Sequence, residues 1–265
     1  MVAGTASFAG RMAASIAGAR SMLCVGLDPD GVNGAAAAER HCQQLLEATL
    51  PLVCAVKANL AFFEQYGSAG YATLERLRGE VPDDRMLILD AKRGDIGSTS
   101  AAYARALFDV LGADAVTVNP LLGRDSVAPF LSRGGRGVFV LTRTSNPGAA
   151  DFLEVAGPDG TPLYQRIVDA ATGWDGGGGA VGFVVGATAP GAVAEVRRRA
   201  PSAPLLLPGV GAQGGALEAA VGAGLDAAGA GVVVPVSRGL SAMPGAAAAV
   251  ARDLRDRIAA VRPQG

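Results

Sequence analysis

Aromatic residues make up only 5% of this 265-residue chain, which holds a single histidine, a single tryptophan and three cysteines. Half of the residues are hydrophobic, so with few rings a core must be filled chiefly by Ala, Val and Leu. That composition suits buried parallel strands alternating with Ala-rich helices. The cysteines, Cys24, Cys42 and Cys54, are odd in number and lack metal-type spacing, and Cys24 and Cys54 lie inside apolar runs. They are expected to be buried free thiols of a reducing compartment, which excludes a disulfide framework. The lone histidine, His41, lies in a helix-like stretch far from any strand end and reads as a surface or capping residue, not as a general base. No His, Cys or carboxylate grouping has metal-ligand spacing, so no metal is expected.

An excess of one charge is lacking as well. The formal net charge of -1 leaves no electrostatic footprint for nucleic acid or for an anionic membrane surface, and a small molecule becomes the expected partner. Long apolar runs are also missing. The first twenty residues are interrupted by Arg11 and Arg20 and offer no signal-peptide core. The charge-free stretch 176–194 opens with four glycines and contains Pro190, leaving an apolar strand too short to span a bilayer. A cytoplasmic protein without membrane contact is the expectation.

What the chain does contain is a recurring alternation. Short β-branched or aliphatic runs at 22–27, 52–56, 86–89, 115–118, 137–141, 180–185, 205–207 and 231–234 predict strands, and each is followed by a longer stretch with helical spacing. Eight such units in a chain of about the 250 residues typical of the fold predict one domain over 1–265, a (β/α)₈ TIM barrel of the α/β class. An open doubly wound sheet would show the same alternation. It is disfavoured because no strand opens into G-x-G-x-x-G and because eight strand ends carry polar residues.

Those strand ends are Asp28-Pro29, Lys57-Ala58-Asn59, Asp90-Ala91-Lys92, Asn119-Pro120, Thr142 to Asn146, Gly186-Ala187-Thr188, Pro208-Gly209-Val210 and Pro235 to Arg238. A barrel gathers all of them on the rim where active sites of this fold are built. Asp90, Lys92 and Asp95 fall within six residues, and Lys57 ends the preceding strand. Nearby carboxylates favour the ammonium form of a lysine, and such a cation can stabilise negative charge developing on carbon and then protonate it. Taken alone, Asp-x-Lys-x-x-Asp reads equally well as a solvated charged loop. After strands seven and eight, Gly209, Gly211, Gly214 and Gly215 offer backbone amides and Arg238 a guanidinium, the makings of a phosphate site. The glycines by themselves would make only a tight turn. Asn119-Pro120 reads as a ligand contact or as a strand-terminating turn, and Arg136 and Arg143 are assigned no role.

The segment from Leu89 to Thr99, Leu-Asp-Ala-Lys-Arg-Gly-Asp-Ile-Gly-Ser-Thr, resembles the signature of the orotidine 5′-phosphate decarboxylase family in the form carried by one of its bacterial subgroups. Lys57 to Glu64, Val118 to Gly123, Thr144 to Gly148, Pro208 to Gly215 and Ser237-Arg238 are similar to further motifs of that family in the same order. The resemblance implies a substrate, orotidine 5′-phosphate, and a reaction yielding UMP and CO₂ in de novo pyrimidine biosynthesis without any cofactor. It implies that Lys92, Asp90, Asp95 and Lys57 are catalytic, with Lys92 the proton donor. It further implies that Asp28 and Lys57 bind ribose hydroxyls, that Ser145 bonds the pyrimidine, that Gln213 bridges base and phosphate, and that Arg238 clamps the phosphate; Thr99, Asn119 and Pro208 join the substrate contacts. A homodimer with shared active sites is implied too, Asp95 and Thr99 reaching into the partner's site. The nearest rival is a Mg²⁺-dependent sugar-phosphate decarboxylase or aldolase of the same superfamily, against which the Ser145 and Gln213 motifs argue. A lysine Schiff-base aldolase and a non-catalytic nucleotide-binding barrel are the remaining alternatives.

Overall fold

The computed structural model describes residues 7–174, 177–210, 216–242 and 244–262. Its strands are β1 (Leu23–Leu27), β2 (Ala55–Asn59), β3 (Met86–Arg93), β4 (Ala115–Val118), β5 (Gly137–Leu141), β6 (Ala180–Val184), β7 (Leu205–Leu206) and β8 (Val232–Val236). They pair in sequence order, each parallel to the next, and β8 returns to β1 to close a barrel. Helices fill the crossovers, and the predicted (β/α)₈ architecture is the observed one. Parallel strands covered on both faces are buried along their length, and here β1, β4 and β8 have no position open to solvent.

Three strands depart from the expected bounds by two residues or more, and β1, β6 and β7 differ by one. β2 starts three residues late, because Pro51 sits in a single 3-10 turn over Leu50–Leu52 that hands the chain to the strand. It then runs on through Lys57 to Asn59, since the barrel interior at that height accepts polar side chains. β3 continues through Asp90 and Lys92 to Arg93 for the same reason, and β8 runs on through Pro235 to the buried Val236.

The end of the barrel away from the polar rim is closed by a helix that precedes β1. Ser7 caps Phe8–Ala19 by accepting the Gly10 N–H at 3.2 Å, and Arg20 ends it in the left-handed conformation, φ 50°. Phe8, Met12, Ile16 and Ala19 recur at helical spacing and form its buried face. The Phe8 ring stands edge-on to Phe139 with centroids 6.0 Å apart. It occupies space that only a glycine at 137 leaves open, since a Cβ there would lie 2.4 Å from Phe8 Cζ. Asp114 secures the same end: its Oδ2 accepts the Leu87 N–H at 2.8 Å, and its Oδ1 is paired with Arg11 and, at 3.0 Å, with Arg136. The rest of the core is chiefly aliphatic, as the composition predicts, with Phe63, Phe108, Phe130, Phe183 and Tyr164 set into it, and Cys24, Cys42 and Cys54 are buried free thiols. Burial pushes the Cys42 and Cys54 thiols up to about 12 and raises that of Cys24 as well.

Candidate active site

Successive residues of a strand alternate between the two faces of the sheet, so residues two apart share a face. Lys57 and Asn59 on β2, Asp90 and Lys92 on β3, Thr117 on β4, Leu141 on β5, Val184 on β6, Leu206 on β7 and Pro235 on β8 all present themselves to one cleft. The cleft, about 310 Å³, opens at the carboxyl ends of the strands and is completed by Asp28, Ser145, Pro208 and Arg238 among other loop residues.

At its heart four charged groups alternate. Lys57 Nζ lies 3.4 Å from Asp28 Oδ1 and 3.3 Å from Asp90 Oδ2, and Lys92 Nζ lies 2.6 Å from Asp90 Oδ1. Lys57 is only 5% exposed. Burial works against its ammonium, but the carboxylates of Asp28 and Asp90 outweigh that penalty and hold its pKa above the ordinary lysine value. Burial likewise works against the charged form of Asp90, and Lys57 and Lys92 outweigh it, leaving the carboxyl below the usual carboxylate range. The Lys92 side chain is 49% exposed, which makes it the accessible cation of the chain. Its backbone has φ 47°, a conformation that residues with a Cβ seldom adopt.

The loop after β5 carries Ser145 to the opposite wall. Arg143 fastens it, donating to the Thr144 carbonyl at 2.8 Å and to Glu154 at 2.7 and 2.9 Å. The Ser145 carbonyl accepts from Thr188 Oγ1 at 3.2 Å. Beneath it, a Cβ at Gly186 would come within 2.6 Å of the Ser145 Cα. Arg93, in the middle of the Asp90–Asp95 segment, is anchored on the outside: it pairs with Glu64, donates to the Ala91 carbonyl at 3.1 Å and lies 5.3 Å from the centre of the Tyr103 ring.

The structure thus brings together Asp28, Lys57, Asp90, Lys92, Ser145, Pro208 and Arg238. Asp95 and Thr99 do not line the cleft of their own chain; Asp95 Oδ1 accepts the Ile96 N–H at 2.7 Å, and Thr99 is exposed in the first turn of the helix Gly97–Ala104. Asn119 is also outside the lining, its Oδ1 accepting the Leu121 N–H at 3.0 Å in the turn that ends β4. Gln213, with Gly211, Gly214 and Gly215, lies outside the described residues. The sequence reading passes over Thr117, leaves Ser237 at the rim without a role, and does not find Arg143 as the fastening of the Ser145 loop. Thr117 is hidden by its place in an apolar strand, whereas Arg143 had been visible at a strand end without a partner to give it meaning. No group of His, Cys, Asp or Glu that could hold a metal ion occurs among the described residues.

A closed barrel with an alternating carboxylate–ammonium series at its rim and an arginine lining the same cleft has the build of an enzyme of the (β/α)₈ class. Residues 21–253 match the orotidine 5′-phosphate decarboxylase / HUMPS family, and the chain belongs to that family. It is 48% identical to orotidine 5′-phosphate decarboxylase of Thermomicrobium roseum, over 97% of each chain. It is 47% identical to that of Roseiflexus castenholzii, over 90% of this chain and 92% of the other. Among solved structures it superposes on Leishmania donovani OMP decarboxylase with TM-score 0.89 at 42% identity, over 97% of this chain and 99% of that one. It also superposes on Leishmania donovani UMP synthase with TM-score 0.92 at 44% identity, over 97% of this chain but 57% of the larger one.

Proposed function

We propose that this protein converts orotidine 5′-phosphate to UMP and CO₂ as a homodimer, without a metal or an organic cofactor. The observation that carries the reading is the unbroken series Asp28, Lys57, Asp90, Lys92, with Lys92 half-exposed in the cleft. Loss of the carboxylate at C6 leaves an electron pair in an orbital that the ring π-system cannot delocalise, so stabilisation has to be electrostatic. Lys92 is the cation beside C6 and the proton donor to it, and Asp90 holds it there. Asp28 and Lys57 take the ribose hydroxyls, Ser145 the pyrimidine, and Pro208 and Arg238 the phosphate end, where a guanidinium gives a bidentate, charge-assisted contact. Binding energy from the remote phosphate serves the transition state at the ring.

Asp95 and Thr99 belong to the partner's site in this reading. Support comes from their position outside the cleft and from large apolar side chains beside them: Ile96 is 61% exposed and Leu121 63%. Exposed apolar side chains on these two loops suit a contact with a second subunit. A cytoplasmic location accords with the free thiols, and among the described residues no helix is long and apolar enough to cross a membrane.

The test is to mix the purified protein with orotidine 5′-phosphate in EDTA and follow the orotate absorbance. Disappearance of the band with formation of UMP is expected. Activity that is lost in EDTA and restored by Mg²⁺ would favour the sugar-phosphate rival instead.

A further inference from the structure

We propose that Thr117 is a positioning residue of the decarboxylation, its one hydroxyl fixing Asp90 and Lys92 relative to each other. The inference rests on the reading of those two residues as the reacting pair. Thr117 stands on β4, 1% exposed, at the floor of the cleft. A hydroxyl has one hydrogen to give and lone pairs to receive. Here the hydrogen goes to Asp90 Oδ1 at 2.9 Å and the oxygen accepts the Lys92 N–H at 2.9 Å. The same carboxylate oxygen, Asp90 Oδ1, takes the Lys92 ammonium at 2.6 Å. Thr117, Asp90 and Lys92 therefore form a closed ring of three hydrogen bonds that ties a backbone position to a side-chain position.

The register of the sheet explains why such a tie is needed. Between β3 and β4, Leu89 is paired with Val116, but the next pair is Arg93 with Val118. Asp90, Ala91 and Lys92 together thus stand opposite the single residue Thr117. In a regular ladder Lys92 would lie two positions higher, opposite Asn119; the bulge keeps it at the level of Asp90. The excursion takes Lys92 through the left-handed region, φ 47°, and its N–H, displaced from the regular register, needs a hydrogen-bond partner. The Thr117 hydroxyl supplies that partner. Valine would keep the branched shape at 117 and remove the tie at both ends.

The experiment compares Thr117→Val and Thr117→Ser with wild type, reading kcat, KM, the dissociation constant of UMP and the melting temperature. In Thr117→Val kcat is expected to fall about ten- to a hundredfold, the scale of a misplaced reacting group, with KM and UMP affinity within about threefold. Serine keeps the hydroxyl but loses the branch that fixes its rotamer, and kcat is expected to return to within about threefold of wild type. A valine variant with kcat within about twofold of wild type overturns the proposal. So does a serine variant as slow as valine, or a fall in kcat matched by an equal loss of UMP affinity. Should Thr117→Val not fold, Thr117→Ala against Thr117→Ser gives the same comparison at smaller volume, with the same outcomes deciding it. Lys92→Ala, measured alongside, separates the two levels: an active Lys92→Ala removes the underlying reading, whereas an inactive Lys92→Ala beside a fully active Thr117→Val removes only the role of Thr117.

Discussion

Lys92 and Asp95 stand three residues apart, yet Lys92 reaches Asp90 within the cleft at 2.6 Å while Asp95 turns back on its own loop to accept the Ile96 N–H at 2.7 Å. The β3 bulge holds the lysine down at the barrel rim, and the chain then leaves the strand toward the exposed Ile96. One motif accordingly faces two ways.

Complementation between chains follows from that division. Lys92→Ala and Asp95→Asn homodimers are each expected to be nearly inactive. In a mixed dimer one site combines the intact lysine of one chain with the intact aspartate of the other, and the second site carries both defects. Equal mixing with random reassociation makes half the dimers mixed and half of their sites intact, so about a quarter of wild-type activity should return. Native mass spectrometry verifies exchange. Mixed dimers that stay as inactive as the parents would show that Asp95 acts within its own chain.

Arg238 lines the cleft at the start of the short helix that follows β8, the strand beside β1. Arg238→Ala should weaken UMP binding by about one to two orders of magnitude, the loss of a charge-assisted bidentate contact, and leave uridine binding nearly unchanged. Isothermal titration with both ligands measures the difference, and equal losses for nucleotide and nucleoside would make Arg238 a structural residue.

Gly26 tests the fit between β1 and the phosphate end. A Cβ there would lie 1.9 Å from Ser237 Oγ and 2.8 Å from Ser237 Cβ, so Ser237 and the adjoining Arg238 must shift to admit it. Gly26→Ala is expected to cost about 1–3 kcal/mol in stability and to raise KM for the nucleotide severalfold. Denaturant unfolding and steady-state kinetics read the two effects, and an unchanged KM would place Ser237 outside the binding surface.

The pH dependence of stability has a definite sign at each end. The Asp90 carboxyl is lowered, because the two lysines outweigh the burial that would raise it, so its contribution is present above the unfolded value of about 3.9 and is lost as pH falls through the folded one. Lys57 is raised, because Asp28 and Asp90 outweigh the burial that would lower it, so its contribution is present below about 10.4 and is lost as pH rises through the folded value. Wild-type stability relative to Asp90→Asn should therefore be flat across neutral pH and decline below about pH 4, as measured by urea unfolding. A difference that grows on acidification would contradict the pairing of Asp90 with the lysines.

The alternation of apolar runs made the barrel legible, because eight buried parallel strands leave eight apolar segments with polar ends. The strand limits were legible only where the residues stayed apolar. Lys57 and Asp90 read as loop residues but belong to strands, since the barrel's upper interior is polar and their burial is offset by ion pairing; Pro235 reads as a turn residue but stands in β8. The motif residues Asp28, Lys57, Asp90 and Lys92 announced themselves by charge at strand ends. The bulge that aligns them did not, because register is a property of two strands and appears in neither alone. Thr117 was illegible for the same reason, and Arg143 acquires its role only from Glu154 and the Thr144 carbonyl.

The packing of Phe8 against Phe139 and Gly137 has a consequence for traffic. With the barrel filled from beneath, the cleft among the described residues is a blind well. Substrate, nucleotide product and CO₂ would then all pass the opening at the carboxyl ends of the strands. A lingering UMP molecule therefore obstructs the next arrival by standing in its path, and the pace of clearing that opening sets a ceiling on turnover however fast the bond breaks.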